Sequence, residues 1–152
     1  MWNVEQKYST SCGIACVAML AEKKHSTVLK NAEGSFKRHF GETTSYTNRF
    51  EIKKLLKNFG VSWQGNFISI KQDIQSQKKF WRALEGVNLV AVRFHIKDRT
   101  EYWHWIIADQ SKNGLYIYDP DPKKGVFRVD LTKNGLPDQR SYKNAKWHLK
   151  IV

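Results

Sequence analysis

One stretch decides the fold of this chain, Glu5-Gln6-Lys7-Tyr8-Ser9-Thr10-Ser11-Cys12-Gly13-Ile14-Ala15-Cys16-Val17-Ala18-Met19-Leu20. Its first part is polar, and after Cys12-Gly13 the residues are small or apolar with good helix propensity. This order predicts a helix whose first turn carries a thiol. Unpaired backbone N–H groups and the helix dipole favour an anion there, and a thiolate is such an anion. We therefore interpret Cys12 as a nucleophile and the rest of the chain as the scaffold that brings a base to its sulfur.

The length and composition indicate one folded domain. The 152 residues are enough for a core, and 41% hydrophobic with 13% aromatic residues argue against disorder. No apolar run approaches the ~20 residues of a membrane span, and the first residues lack the pattern of a signal peptide. We therefore expect a single domain over residues 1–152 without a transmembrane segment. It is either cytoplasmic or delivered as part of a larger exported protein.

The chain is strongly basic, with 26 Lys and Arg against 14 Asp and Glu and a formal net charge of +12. A solvated basic surface and a surface that attracts nucleic acid or an anionic membrane both fit this charge. The positive residues are spread along the chain, and no nucleic-acid motif accompanies them. We therefore interpret the positive charge as a general property of the protein surface and not as an indication of the function. Nucleic acid stays open as a partner.

Two cysteines, Cys12 and Cys16, lie one helical turn apart. A disulfide between them would close a very small loop and constrain little. No second Cys or His pair follows at the spacing of zinc ligands, so we expect no metal and no cofactor. Cys16 stands among small apolar residues, which is typical of a buried, inert thiol.

Helix patterns dominate the first half of the chain, with three further helices predicted over residues 28–33, 49–58 and 73–84. Ser26-Thr27 is the predicted cap of the first of these, and Gly34-Ser35 is predicted to end it. The residues expected on the buried sides are Phe50, Ile52, Leu55, Leu56 and Phe59 in the second and Ile74, Phe80, Trp81 and Leu84 in the third.

Strand patterns dominate the second half. The predicted strands are a short one at 61–63 and then 88–94, 102–108, 115–118, 125–129 and 146–151, the last as an edge strand. This predicts an α+β fold in which a helical N-terminal half packs on an antiparallel β-sheet. We expect the cysteine of one half to face groups on the strands of the other half, in a cleft.

A cysteine nucleophile needs a base, a group that orients the base, and donors for the oxyanion. His104 begins the most apolar predicted strand, and a hairpin of 15 residues leads from it to Asp119. Such a hairpin returns its end beside its start, so Asp119 is the candidate orienting carboxylate. Gln6, six residues before Cys12, is the candidate oxyanion donor. Taken singly, Asp119 also fits a turn residue before Pro120, and Gln6 also fits a solvated side chain.

The other histidines are the alternatives for the base. His25 and His39 lie in or beside the polar helical region, His95 ends a predicted strand, and His148 lies in the terminal strand. A single histidine is more often a surface or core residue than a catalytic one. The hairpin that leads to an aspartate distinguishes His104 from these four.

Three motifs together resemble a known family: Gln6-x5-Cys12-Gly13-x-Ala15-x5-Ala21, His104-Trp105-Ile106-Ile107 and Tyr118-Asp119-Pro120. They resemble the papain-like cysteine peptidases that process bacteriocin leaders of the double-glycine type. The resemblance implies a papain-like fold and a peptide or protein substrate. It also implies the roles of nucleophile for Cys12, general base and acid for His104, orienting group for Asp119 and oxyanion donor for Gln6. The family often has an acidic residue directly before the cysteine, where this chain has Ser11.

The charge of +12 departs from what is usual in leader-processing domains. A basic domain of this kind looks more like a bacterial toxin or effector domain, for which an acidic inhibitor or immunity protein is the expected partner. Deamidation of a glutamine is an alternative to peptide hydrolysis, because both pass through a thioester. A further alternative is a nucleic-acid-binding or RNA-cleaving toxin that uses histidines and aromatic side chains instead of the thiol.

Overall fold

The computed structural model describes residues 1–96, 99–111, 113–131, 135–137, 142 and 144–152, with the backbone alone described at 93–96 and 99–102. These residues form two compact units. One contains Met1–Ser62, Asp119–Gly125 and Val152, and the other contains Trp63–Tyr118 and Val126–Ile151. Among the described residues, no helix has the length and apolar character needed to cross a membrane.

The first unit is helical, with α1 at Cys12–Ala21, α2 at His25–Phe36 and α3 at Arg49–Asn58. The polar residues before α1 form no helix or strand, as predicted. Every residue of α1 from Cys12 to Met19 is buried. A helix that is apolar on all sides has no solvent face, so α1 becomes the centre around which this unit packs.

Helix α2 is longer than predicted, because it begins at His25 and continues through Gly34-Ser35 to Phe36. The expected cap at Ser26-Thr27 is also wrong, since the residue before the helix is Lys24. A glycine inside a helix costs only about 1 kcal/mol relative to alanine. Packing supplies more than that here, because Val28 and Ala32 on this helix are fully buried.

Helix α3 begins with a capping box, in which Asn48 accepts a hydrogen bond from the Glu51 N–H and Glu51 accepts one from the Asn48 N–H. Ile52, Leu55 and Leu56 are fully buried, as predicted. Phe50 is 75% exposed, so its place in the buried stripe was wrong. Two residues turn a helix through about 200°, which carries Phe50 away from the side that Ile52 buries.

The second unit contains a sheet with the strand order β1-β6-β2-β3-β4-β5. The strands are β1 Trp63–Ser69, β2 Gly86–Ile96, β3 Arg99–Ser111, β4 Gly114–Asp119, β5 Gly125–Val129 and β6 Ala145–Ile151, and helix α4 spans Ile74–Ala83. The β1–β6, β6–β2, β2–β3 and β3–β4 pairs are antiparallel. The proline after Asp119 follows the end of β4, as expected of a residue that cannot donate to a ladder.

Strand β6 is not an edge strand, which corrects the prediction for residues 146–151. It pairs with β1 on one side and with β2 on the other. The edge on that side of the sheet is β1, which is much longer than the predicted segment 61–63. Most of β1 is exposed, and Gln64, Gly65 and Asn66 give it no alternation of apolar and polar residues. Its sequence therefore carries no strand signal.

Helix α4 covers one face of the core of this unit through Trp81, and the core continues into Val90, Val92 and Ile106. Leu84 is buried as predicted, but Ile74 is 60% exposed and is a second error of the buried-side prediction. Ile74 is the first residue of the helix, and the side that faces the core begins one turn later at the buried Gln77.

Candidate active site

Cys12 is the first residue of α1, and Ser11 is its N-cap, so the predicted position of the thiol at the first helical turn is confirmed. The Ala15 N–H donates to the Ser11 carbonyl at 3.0 Å, which is the first hydrogen bond of the helix. The Cys12 side chain is 2% exposed. The first turn of a helix presents N–H groups that have no partner within the helix, which favours an anionic group beside it, such as a substrate oxygen.

Ser11, the residue before the thiol, is fully buried and makes several hydrogen bonds. Its Oγ accepts from the Tyr8 N–H at 3.0 Å, lies 3.1 Å from the Tyr8 carbonyl and 3.0 Å from Nε2 of His25. The hydroxyl has one proton, which it donates either to that carbonyl or to the imidazole. These bonds fix the turn over residues 8–11 that leads into the helix.

His25 was not among the predicted site residues, although it contacts the segment that precedes Cys12. His25 is the first residue of α2. Its Nε2 accepts a hydrogen bond from the Lys7 N–H at 3.4 Å and is also in hydrogen-bond contact with Ser11 Oγ. Burial, and then the charge of Lys7, lower the pKa of His25 from its ordinary value of 6.5. The lowered pKa favours the neutral ring, and the hydrogen bond from the Lys7 N–H requires that Nε2 carry no proton. No spacing in the sequence pairs residue 25 with residue 11, so sequence reasoning had no signal for it.

Cys16 is fully buried in α1, as predicted for an inert thiol. Burial raises the pKa of this thiol well above 9.0, and the charges of Cys12 and Asp119 raise it further. Both groups therefore lie within electrostatic reach of one buried sulfur. Cys12 and Asp119, two of the predicted site residues, thus both lie near the thiol of Cys16 within the first unit.

Gln6 is fixed to the segment that follows β4. Its backbone N–H donates to the Pro120 carbonyl at 2.8 Å, and its side-chain Nε2 donates to the Tyr8 carbonyl at 3.0 Å. Its Oε1 is buried and has no hydrogen-bond partner among the described residues. The Gln6 amide nitrogen keeps a second hydrogen, because the bond to Tyr8 uses only one of two.

Asp119 ends β4 and is fully buried. Its Oδ1 accepts from the Asp121 N–H at 2.9 Å, an Asx-turn that fixes the start of the 119–125 segment. Asp119 therefore forms a turn around Pro120, as its alternative interpretation expected. A buried carboxylate requires hydrogen-bond or charged partners, and the Asp121 N–H is one partner of this carboxylate.

His104 lies in the second unit and is 3% exposed. It stands inside β3, opposite Val92, rather than at the start of a strand, because β3 begins at Arg99. Its side chain is on the same face as Ile106 and Ala108. The predicted hairpin is present: β3 and β4 pair from Ser111–Gly114 to Ile107–Tyr118.

The remaining histidines have different surroundings. His39 has a side chain that is 82% exposed and lies 3.3 Å from a Glu33 carboxylate oxygen. His148 packs on Phe80 in the second unit. The side chain of His95 lies outside the described part of the structure. In the described residues, no three His, Cys, Asp or Glu side chains are grouped as metal ligands.

Comparison with known families identifies the chain. The model of the peptidase C39 family matches residues 2–133. The chain belongs to the peptidase C39 family. It is therefore a cysteine peptidase-type hydrolase whose substrate class is peptide or protein, which confirms the coarse functional prediction.

The fold of this C39 family member is similar to that of the Pseudomonas avirulence protein AvrPphB in its crystal structure. The TM-score is 0.52 at 10% sequence identity, over 95% of this chain and 92% of that one. No curated protein sequence matches the chain. At this identity the likeness concerns the fold alone, and it confirms the predicted papain-like α+β class.

Proposed function

We propose that residues 1–152 act as one peptidase domain in which Cys12 is the nucleophile, His104 the general base and acid, Asp119 the group that orients His104, and Gln6 an oxyanion donor. The observation that carries the proposal is the position of Cys12 at the first turn of a buried helix, in a chain of the peptidase C39 family. A thiol at that place is the usual arrangement of a cysteine nucleophile.

Each reaction step assigns one task to one group. The Cys12 sulfur attacks the substrate carbonyl carbon while its proton passes to the imidazole of His104. The Gln6 amide and the Cys12 backbone N–H donate to the resulting oxyanion. The carbon–nitrogen bond breaks as His104 returns the proton to the leaving amine. Water, deprotonated by the same imidazole, then attacks the thioester and releases the acid product and the free thiol.

Two hydrogen bonds and one electrostatic effect within the first unit support the roles of Gln6 and Asp119. The Gln6 N–H donates to the carbonyl of Pro120, the residue next to Asp119. The Gln6 side chain is oriented by the Tyr8 carbonyl, and Asp119 lies near enough to the Cys12 helix to act on Cys16. The pairing of β3 with β4 supports the role of His104. The last paired residues are Ile107, three residues after His104, and Tyr118, one residue before Asp119.

We also propose that the domain works as a toxin or effector delivered into another cell. The charge of +12 and the fold likeness to a protein described as an avirulence protein support this setting. An acidic inhibitor or immunity protein would then be its natural partner, because opposite charge accelerates association. The partner can be tested on a cation-exchange column at moderate salt. The protein should be retained, and an acidic protein encoded beside the peptidase gene should release it.

The experiment that tests the function is the digestion of a complex peptide library, read by mass spectrometry. The parent protein and Cys16→Ala should generate the same set of new termini, and Cys12→Ala should generate none. A deamidase would instead convert glutamine to glutamate without new termini. Cleavage by Cys12→Ala at the parent rate would contradict the proposal.

A further inference from the structure

The second unit contains a groove of about 690 Å³ beside the edge strand β1. It is bounded by β1, by α4, and by the neighbouring parts of β6 and β2. The volume is in the range of about 300–1,000 Å³ that is usual for ligand sites. None of the proposed catalytic residues lines it, so the reaction described above gives it no task.

The rim of the groove is positively charged. Lys71, Lys79 and Lys150 line it, and Glu85 is the one carboxylate among its lining residues. Within the described residues, no carboxylate lies within ion-pair distance of these three ammonium groups. The pKa of nearby Asp73 is lowered first by hydrogen bonds from Ser76 and only last by the charge of Lys71. An anionic ligand would gain attraction here without breaking an existing ion pair.

The floor of the groove is apolar and mainly aliphatic. Ile70 and Leu84 are nearly buried there, and Ile68 keeps 56% of its surface exposed. Phe80 is the aromatic ring of the floor, and it already contacts Trp81 and His148 at centroid distances of 4.9 Å. A floor of this kind accepts aliphatic side chains well, whereas stacking of nucleic-acid bases needs free aromatic faces.

His148 also lines the groove, and it contains a buried polar atom. That atom is Nδ1, which has no hydrogen-bond partner among the described residues.

We propose that this groove binds an acidic peptide segment of a partner protein. An aliphatic side chain of the peptide would pack on the floor between Ile68 and Leu84, and its carboxylates would face the three lysines. The inference goes beyond the proposed reaction, because it concerns binding alone and does not need Cys12. Charge complementarity favours an anionic occupant, and the aliphatic floor, which has no free aromatic face for base stacking, favours a peptide over a nucleic acid.

Fluorescence anisotropy with a labelled peptide that alternates glutamate and leucine tests the proposal, using Cys12→Ala protein so that nothing is cleaved. The double variant Lys79→Glu/Lys150→Glu should bind about tenfold or more weakly than the parent. The control Lys30→Glu/Lys54→Glu changes the net charge equally, at exposed lysines of α2 and α3, and should keep most of the affinity. Circular dichroism establishes that both variants are folded.

A second pair of variants tests the floor. Ile68→Ser should weaken binding several-fold, and Ile74→Ser, which alters an equally exposed isoleucine outside the groove, should not. Equal affinities within both variant pairs would overturn the proposal. Preferential binding of a single-stranded RNA oligonucleotide or of inorganic phosphate, lost in the same lysine variant, would also overturn it by assigning the groove to another ligand.

Discussion

Nε2 of His25 lies 3.0 Å from Oγ of Ser11, the residue directly before the proposed nucleophile. The same nitrogen accepts from the Lys7 N–H, so one imidazole holds two points of the segment between Gln6 and Cys12. Ser11 stands at the position where the resembled family often has an acidic residue, and its hydroxyl contacts the His25 imidazole. We infer that this contact positions the segment, and it is the source of the first two predictions.

Ser11→Ala should lower the free energy of unfolding by about 1–3 kcal/mol, because it leaves the part-buried Tyr8 N–H without its acceptor and removes a partner of His25. Urea unfolding followed by circular dichroism measures the change. Ser26→Ala, at an exposed serine of α2, is the matched control and should have little effect. Equal unfolding midpoints for the two variants would show that the contact contributes nothing.

Stability should fall as the pH falls below the ordinary histidine pKa of 6.5. Burial lowers the pKa of both His25 and His148 in the folded protein, with Lys7 adding to the effect at His25. Below 6.5 the unfolded chain therefore binds protons that the folded chain does not, and this favours unfolding. Above that pH the full contribution to stability is present.

Urea midpoints measured across this pH range test that sign. The double variant His25→Gln/His148→Gln should show a weaker decline than the parent. His39→Gln should retain the parent's decline, because that side chain is 82% exposed. A parent whose stability rises on acidification through this range would contradict the prediction.

Gln77→Met should destabilise the second unit by about 3 kcal/mol. The buried Gln77 accepts from the Ala145 N–H at 2.8 Å and donates to the carbonyls of Lys71 at 2.9 Å and Ala145 at 2.7 Å. Methionine has a similar volume but leaves the Ala145 N–H and the Lys71 carbonyl unpaired. Gln75→Met, at an exposed position of α4, is the control. Similar urea midpoints would mean that these bonds are easily replaced.

The sequence predicted the elements whose apolar pattern is local. Helix α1 is continuous in small apolar residues, and the β3–β4 hairpin lies where alternating and apolar runs flank a polar turn. Strand β1 was largely missed, because an edge strand exposed on most of its length needs no apolar pattern. The extension of α2 through Gly34 was missed because packing outweighed a local propensity.

The residues of the candidate site also divide into those that a local sequence pattern indicates and those that it does not. The order Gln6, Cys12 and Asp119 could be read along the chain, and the structure places these three in one unit. The contact of His25 with Ser11 could not, because it arises only when α2 folds back on the segment before α1. Long-range contacts of single polar side chains have no periodicity that a sequence pattern could reveal.

The central claim is that His104 activates the sulfur of Cys12, and the most direct test is the rate at which iodoacetamide alkylates the native protein. Peptide mapping by mass spectrometry should find the label on Cys12 and not on Cys16, whose raised pKa and full burial keep it as an unreactive thiol. His104→Ala should slow the labelling of Cys12 strongly, while the control His39→Ala should leave it unchanged. Labelling of Cys12 at the same rate in the parent and in His104→Ala would contradict the account.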